Sequence, residues 1–245
     1  MPSIVLITGG NRGLGFAAAR LLIQTGATVV IGARQEAAAH AAVDALSEGP
    51  GKVDWVHLDV TSTTIMRTAA AAIRDRYCRL DVLVNNAGIL PEATDAIEPE
   101  FADPDVFQRT FETNVFGAVS ATEIFLPLLR KSHAGRIVNV SSTMGSLTDQ
   151  NNPQSPYYPM LLPAYRSSKA ALNSLTVELA KSLRETPIKV TTVCPGFVRT
   201  ELTPMNRQQA PLSPDQAAQV VVTAAMLPAH AESGMFIDAN GPVPW

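Results

Sequence analysis

Six short apolar runs punctuate the chain, and a segment of good helix formers follows each of them. The runs are residues 3–8 (SIVLIT), 27–32 (ATVVIG), 53–58 (VDWVHL), 81–85 (DVLVN), 135–141 (GRIVNVS) and 188–194 (IKVTTVC). The helix-like segments fall at 14–25, 36–47, 62–77, 104–131, 164–185 and 214–227. The runs are apolar throughout rather than alternating, as in strands buried on both faces. Strand–helix repetition of this kind predicts βαβ units, hence an α/β fold: one doubly wound parallel sheet with helices on both faces. No stretch reads as a linker, so residues 1–245 are expected to form a single domain. One segment breaks the rhythm: TDQNNPQSPYYPMLLP at 148–163, between a strand and a helix. It is expected to be a long inserted loop, and long loops in compact domains often serve function.

Composition narrows the partners. The net charge is −3 with no basic block, which excludes the basic stripe a nucleic acid would require. No apolar run reaches the ~18 residues of a membrane span. The opening MPSIVLITGG lacks a basic leader region, so no secretion signal is expected. Cys78 and Cys194 are too few and too isolated for a disulfide framework or a zinc site, and His40, His57, His133 and His230 lack metal-ligand spacing. No metal is expected, and the reducing cytoplasm is the expected compartment. The sequon at Asn139 ends an apolar strand and reads as accidental.

The segment ITGGNRGLG (7–15) leaves the first strand and opens the first helix. Gly9, Gly13 and Gly15 are the candidate working glycines: one for the tight turn, one for backbone approach to a pyrophosphate, one for close helix–strand packing. The helix N-terminus then faces the anion with unpaired N–H groups. Asn11, Arg12 and Leu14 share this turn and count among the expected cofactor contacts. The sheet is therefore expected to be Rossmann-type, although the spacing is Gly-x-x-x-Gly-x-Gly rather than G-x-G-x-x-G. Sites for NAD usually carry an acid at the end of the second strand. Here Ala33 occupies that position and Arg34 follows. Arg12 and Arg34 could flank a 2′-phosphate, a group that suits guanidinium forks. The expectation is NADP(H) rather than NAD, with Glu36 as the contrary sign.

In AYRSSKAALN (164–173), Tyr165 and Lys169 lie one helical turn apart and share a face. A free tyrosine titrates near ~10 and exchanges protons sluggishly at neutral pH. A neighbouring cation favours the phenolate and lowers that value. By itself the spacing is what chance also gives.

These motifs together resemble the short-chain dehydrogenase/reductase family, along nearly the whole chain. The likeness rests on the glycine turn, LDV (58–60), NNAG (85–88), TN (113–114), VSS (140–142), YRSSK (165–169) and PGFVRT (195–200), all in family order. The resemblance implies that Asn114, Ser142, Tyr165 and Lys169 are catalytic, with Tyr165 as general acid and base for a carbonyl or alcohol oxygen, Ser142 holding the carbonyl oxygen and Asn114 anchoring a water behind Lys169. It implies that Asp59 and Val60 lie against the adenine and that Asn86, Ala87 and Gly88 line the cofactor. It also implies that Lys169 bonds the nicotinamide ribose, and that Val198 and Thr200, after Pro195 and Gly196, hold the carboxamide. The ending GMFIDANGPVPW is similar to that of carbonyl-reductase-like members. Twenty-two residues separate Ser142 from Tyr165, more than in many members. That insertion bears on oligomeric state, since family members associate as homodimers or homotetramers through helices corresponding to 104–131 and 164–185. Which of Tyr157, Tyr158, Met160, Leu161 and Leu162 face a substrate stays open. So does whether residues 160–162, Phe197 and Met205 form core or an apolar substrate wall. Two functions follow. The first is an NADP(H)-dependent oxidoreductase interconverting a small-molecule carbonyl and its alcohol. The alternative is an NADP(H)-binding regulator without essential catalysis.

Overall fold

The computed structural model describes residues 2–95 and 99–245. Its first half runs β1 (Ile4–Thr8), α1 (Gly13–Gln24), β2 (Thr28–Ala33), α2 (Glu36–Leu46), β3 (Lys52–His57), α3 (Thr63–Tyr77), β4 (Val82–Asn85). Then come α4 (Pro104–Phe111), α5 (Gly117–Leu129), β5 (Arg136–Val140), α6 (Leu147–Gln150), α7 (Pro163–Ser182) and β6 (Lys189–Val193). The chain closes with α8 (Pro204–Gln209), α9 (Pro214–Ala225), β7 (Met235–Asp238) and β8 (Gly241–Pro242).

The strands form one sheet in the order β3-β2-β1-β4-β5-β6-β7-β8. Every pairing is parallel except β7–β8, a short antiparallel hairpin at the edge. Because the side-chain period is two, each central strand feeds two cores. Val5 and Ile7 pack with Ala18, Leu22 and Val221 of α1 and α9. Ile4 and Leu6 pack with Met66, Ile73, Phe125 and Leu129 of α3 and α5. That two-sided burial is why the strands read as unbroken apolar runs. The strand order reverses between β1 and β4, and the carboxyl ends of these strands open a crevice of the kind in which ligands bind.

The structure departs from the sequence reading in four places. β7 and β8 add to the six expected strands, and β8 makes the sheet mixed. MFID and GP are too short to stand out from the turns around them. The expected helix at 104–131 is divided by a π-helical turn, Glu112–Phe116. Residues 147–150 of the inserted segment form α6, capped by Ser146, whose hydroxyl accepts from the Asp149 N–H at 3.1 Å. Finally, α8 lies in a stretch that carried no helical signal, started by the Thr203 hydroxyl accepting from the Asn206 N–H at 3.0 Å.

Candidate active site

A cleft of about 1070 Å³ opens at the crevice between β1 and β4. Its floor is the turn from β1 to α1, with Gly9, Asn11, Arg12, Gly13, Leu14 and Gly15. Gly13 has φ +55, a left-handed conformation that disfavours side chains. At Gly15 a Cβ would lie 2.6 Å from both the Asn86 side chain and the Gly9 carbonyl, so only glycine fits. One wall carries Arg34, Asp59 and Val60; the other carries Asn86, Ala87, Gly88, Pro195, Gly196, Val198 and Thr200. Arg12 and Arg34 are exposed, and neither has a carboxylate partner among the described residues. Ala33, the last residue of β2, is neutral and buried. Glu36 turns along α2 to His40, 3.5 Å away, and does not line the cleft.

Ser142, Tyr165 and Lys169 line the deep end of the same cleft. Ser142 follows β5; its hydroxyl accepts from the Met144 N–H at 3.2 Å and lines the cleft with Tyr165. Tyr165 and Lys169 come from the first turns of α7, which packs tightly on the turn after Ser142. At Gly145 a Cβ would lie 2.7 Å from the Lys169 backbone, so any side chain there would push the helix away. Lys169 is 5% exposed and donates to the Val140 carbonyl at 2.9 Å. Among the described residues that is the ammonium's one hydrogen bond, so it keeps donors for the cleft. Asn114 stands behind this wall rather than on it. It sits in the π-helical turn, a device common at functional sites. Its Oδ1 accepts from the Ile89 N–H at 2.8 Å, and its Nδ2 donates to the Ile89 carbonyl at 3.0 Å and to the Ser168 hydroxyl at 3.1 Å.

A family model described as short chain dehydrogenase matches residues 3–211. The chain belongs to that family. Short-chain dehydrogenase anuI of Penicillium roqueforti is 38% identical over 228 residues, covering 91% of this chain and 88% of its own. Salutaridine reductase of Papaver bracteatum is 31% identical, covering 96% of this chain and 94% of its own. Among solved structures, the NADPH-bound carbonyl reductase from chicken fatty liver aligns with a TM-score of 0.85 at 26% identity, covering 100% of both chains.

In this short chain dehydrogenase the titration of the paired groups differs from the sequence expectation. Burial pushes the Tyr165 phenol above the ordinary tyrosine range; the Cys194 sulfur adds to the rise and the neighbouring Ser142 hydroxyl opposes it. Lys169 Nζ lies over the ring face, 5.6 Å from the centroid. Burial in turn brings Lys169 down to about 8, with Cys194 opposing. Desolvation of two groups in one apolar wall outweighs their mutual attraction.

Several residues of the short chain dehydrogenase site were missed in the sequence. The Thr8 hydroxyl accepts from the Asn86 and Ala87 N–H groups, both at 3.0 Å, and so ties β1 to the NNAG turn. A lone threonine ending a buried strand was the available signal. Asn86 reaches back, its Nδ2 donating to the Thr8 and Gly9 carbonyls at 2.8 and 3.1 Å. Asn139 is 3% exposed and donates to the Thr176 hydroxyl at 2.8 Å, so the sequon is buried structure. Glu92 bonds the amides of Ala164 and Tyr165. No sequence pattern marks it, because its partners are backbone groups more than seventy residues away. In the inserted segment, Tyr158 (47% exposed) and Leu161 (87% exposed) face outward, and Tyr157, Met160 and Leu162 are half-buried. None of these five lines the cleft; Glu201, Leu202 and Asn206 do.

Proposed function

We propose that this chain is an NADPH-dependent reductase interconverting a small-molecule ketone or aldehyde and its alcohol, with Tyr165 as general acid and base. The observation that carries the reading is the grouping of Tyr165, Ser142 and Lys169 on one wall of the cleft whose floor is the glycine turn. The cofactor fits the residues present. The glycine turn would take the pyrophosphate, Arg12 and Arg34 a 2′-phosphate, and the spare donors of Lys169 a ribose hydroxyl. The NADPH bound to the chicken carbonyl reductase supports the choice. When bound, the cofactor supplies the hydride for the carbonyl carbon and, once oxidised, a positive charge near the phenol.

The chain's own groups do the rest. Ser142 holds the carbonyl oxygen by a hydrogen bond. Tyr165 passes its phenolic proton to that oxygen as negative charge develops there, and the alcohol leaves with both hydrogens. The raised pKa keeps Tyr165 protonated at neutral pH, the form that reduction requires. Lys169, at about 8, is still mostly cationic near neutrality. A water held on the second lone pair of Asn114 Oδ1 would return the proton.

On this reading residues 1–245 act as one cofactor-binding unit with 148–163 as an insertion, in the cytoplasm, where the free thiols Cys78 and Cys194 stay reduced. The test is NADPH oxidation by the purified chain against a panel of aldehydes, ketones and quinones. Turnover with none of them, together with tight NADPH binding, would favour the regulator.

A further inference from the structure

We infer that Glu92 is a positioning residue for Tyr165, acting by locking the loop after β4 onto the first turn of α7. The inference rests on the role proposed for Tyr165.

α7 begins without a cap of its own. Its N-cap residue, Leu162, offers no side-chain acceptor, and Pro163 in the first position has no N–H. The next two amides, of Ala164 and Tyr165, belong to buried residues. Left alone they would be unpaired donors inside the protein, a costly arrangement. Glu92 answers both: Oε1 accepts from the Ala164 N–H and Oε2 from the Tyr165 N–H, each at 2.8 Å. A carboxylate here also meets the positive end of the helix dipole. The partners lie 72 and 73 residues apart in sequence, so the bonds join two parts of the fold rather than trimming a helix end.

The connection closes into a ring. Glu92 lies three residues after Ile89, whose N–H and carbonyl are both held by Asn114. Asn114 Nδ2 also reaches the Ser168 hydroxyl, which in turn donates to the Tyr165 carbonyl at 2.7 Å. Tyr165 is therefore gripped at its N–H by Glu92 and at its carbonyl by Ser168, and both grips return to Asn114. A slip of the first turn would swing the phenol, and proton transfer is steeply sensitive to such displacement. Glu92 does not line the cleft, so its influence passes through the Tyr165 backbone.

The test compares the full-length native chain with Glu92→Gln, which keeps the shape but turns one acceptor into a donor facing an N–H. Hydrogen exchange of the cofactor-free proteins should show the amides of Ala164 and Tyr165 exchanging at least tenfold faster in the variant. kcat for carbonyl reduction should fall tenfold or more while the NADPH Kd changes less than about twofold. Adding Leu162→Ser supplies a local cap; it should restore the melting temperature but not kcat. Glu92→Asp keeps the charge on a shorter stem and should give intermediate kcat and exchange, which serves if the Gln variant does not fold. Unchanged exchange, or native kcat in Glu92→Gln, would overturn the lock. Recovery of kcat by Leu162→Ser would also overturn it, reducing Glu92 to a helix cap. A native-like rate in Tyr165→Phe would instead strike the proposed function, and the exchange measurement would still decide the lock.

Discussion

Lys169 Nζ sits over the face of the Tyr165 ring, 5.6 Å from its centroid, and bonds backwards to the Val140 carbonyl at 2.9 Å. The two side chains share a helix face, yet the ammonium meets the π-surface rather than the phenolic oxygen. That contact is a cation–π interaction. Burial still dominates the phenol and raises it above the ordinary tyrosine range.

Tyr165→Phe keeps the ring and the cation–π contact and removes only the proton. Carbonyl reduction should fall by the ~10²–10⁴ typical of losing a general acid. NADPH titration should give a Kd within about threefold of native, because the ring makes the packing contacts either way. Reduction at near-native rate would reject the catalytic assignment.

Lys169 carries a stability cost whose pH dependence has a definite sign. Its folded value of about 8 lies below the 10.5 of an unperturbed lysine. Below pH 8 both states hold the proton and the cofactor-free native state bears the whole cost of a buried ammonium. Between about 8 and 10.5 the native state has released a proton that the unfolded chain keeps, so stability climbs with pH. Lys169→Met should therefore raise cofactor-free stability at pH 7, by up to ~3 kcal/mol, and flatten the climb. Urea melts between pH 7 and 9.5 would measure both effects. That window stays below the range where ionisation of unfolded tyrosine pulls stability down, Tyr165 holding its proton in the fold.

NADPH should be preferred over NADH, and the preference should weaken as salt rises, because Arg12 and Arg34 are exposed charges. Ala33→Asp combined with Arg34→Ser should shift preference toward NADH, since an acid there can accept from a 2′-hydroxyl and repels a 2′-phosphate. Equal kcat/KM for the two cofactors in the native protein would sink this assignment.

Cys78 ends α3 with φ +62, a left-handed conformation that strains a side chain. Cys78→Gly should stabilise the protein by about 0.5–1 kcal/mol, or roughly 1–4 °C in Tm, after the extra freedom glycine gives the unfolded chain. Differential scanning calorimetry at neutral pH checks it, and a lower Tm would contradict the strain.

Assembly as a homodimer or homotetramer is expected through the α4–α5 and α7 region, where Phe116 is 58% and Val119 44% exposed. Light scattering at micromolar concentration should show a species heavier than the 26.1 kDa chain, and Phe116→Glu should shift it toward the monomer. A monomer in the native protein would point to the inserted segment, which Arg166 holds against α7 by donating to the Tyr157 carbonyl at 3.0 Å.

The sequence by itself determined the sheet core, the glycine turn and the Tyr165–Lys169 pair. Those features are local: a buried strand must be apolar on both sides, a phosphate turn needs residues without side chains, and a helix places positions four apart on one face. The tertiary structure alone decided the electrostatic outcome and the wiring. Nothing in YRSSK says that Lys169 lies over the ring, because that depends on how deeply α7 is pressed onto the turn at Gly145. Nothing in NNAGILPE says that Glu92 caps α7, because its partners are backbone amides, which every residue but proline carries and no side-chain pattern records. The same holds for β7 and β8, short strands made legible only by the sheet edge, where β7 pairs on β6 and β8 on β7.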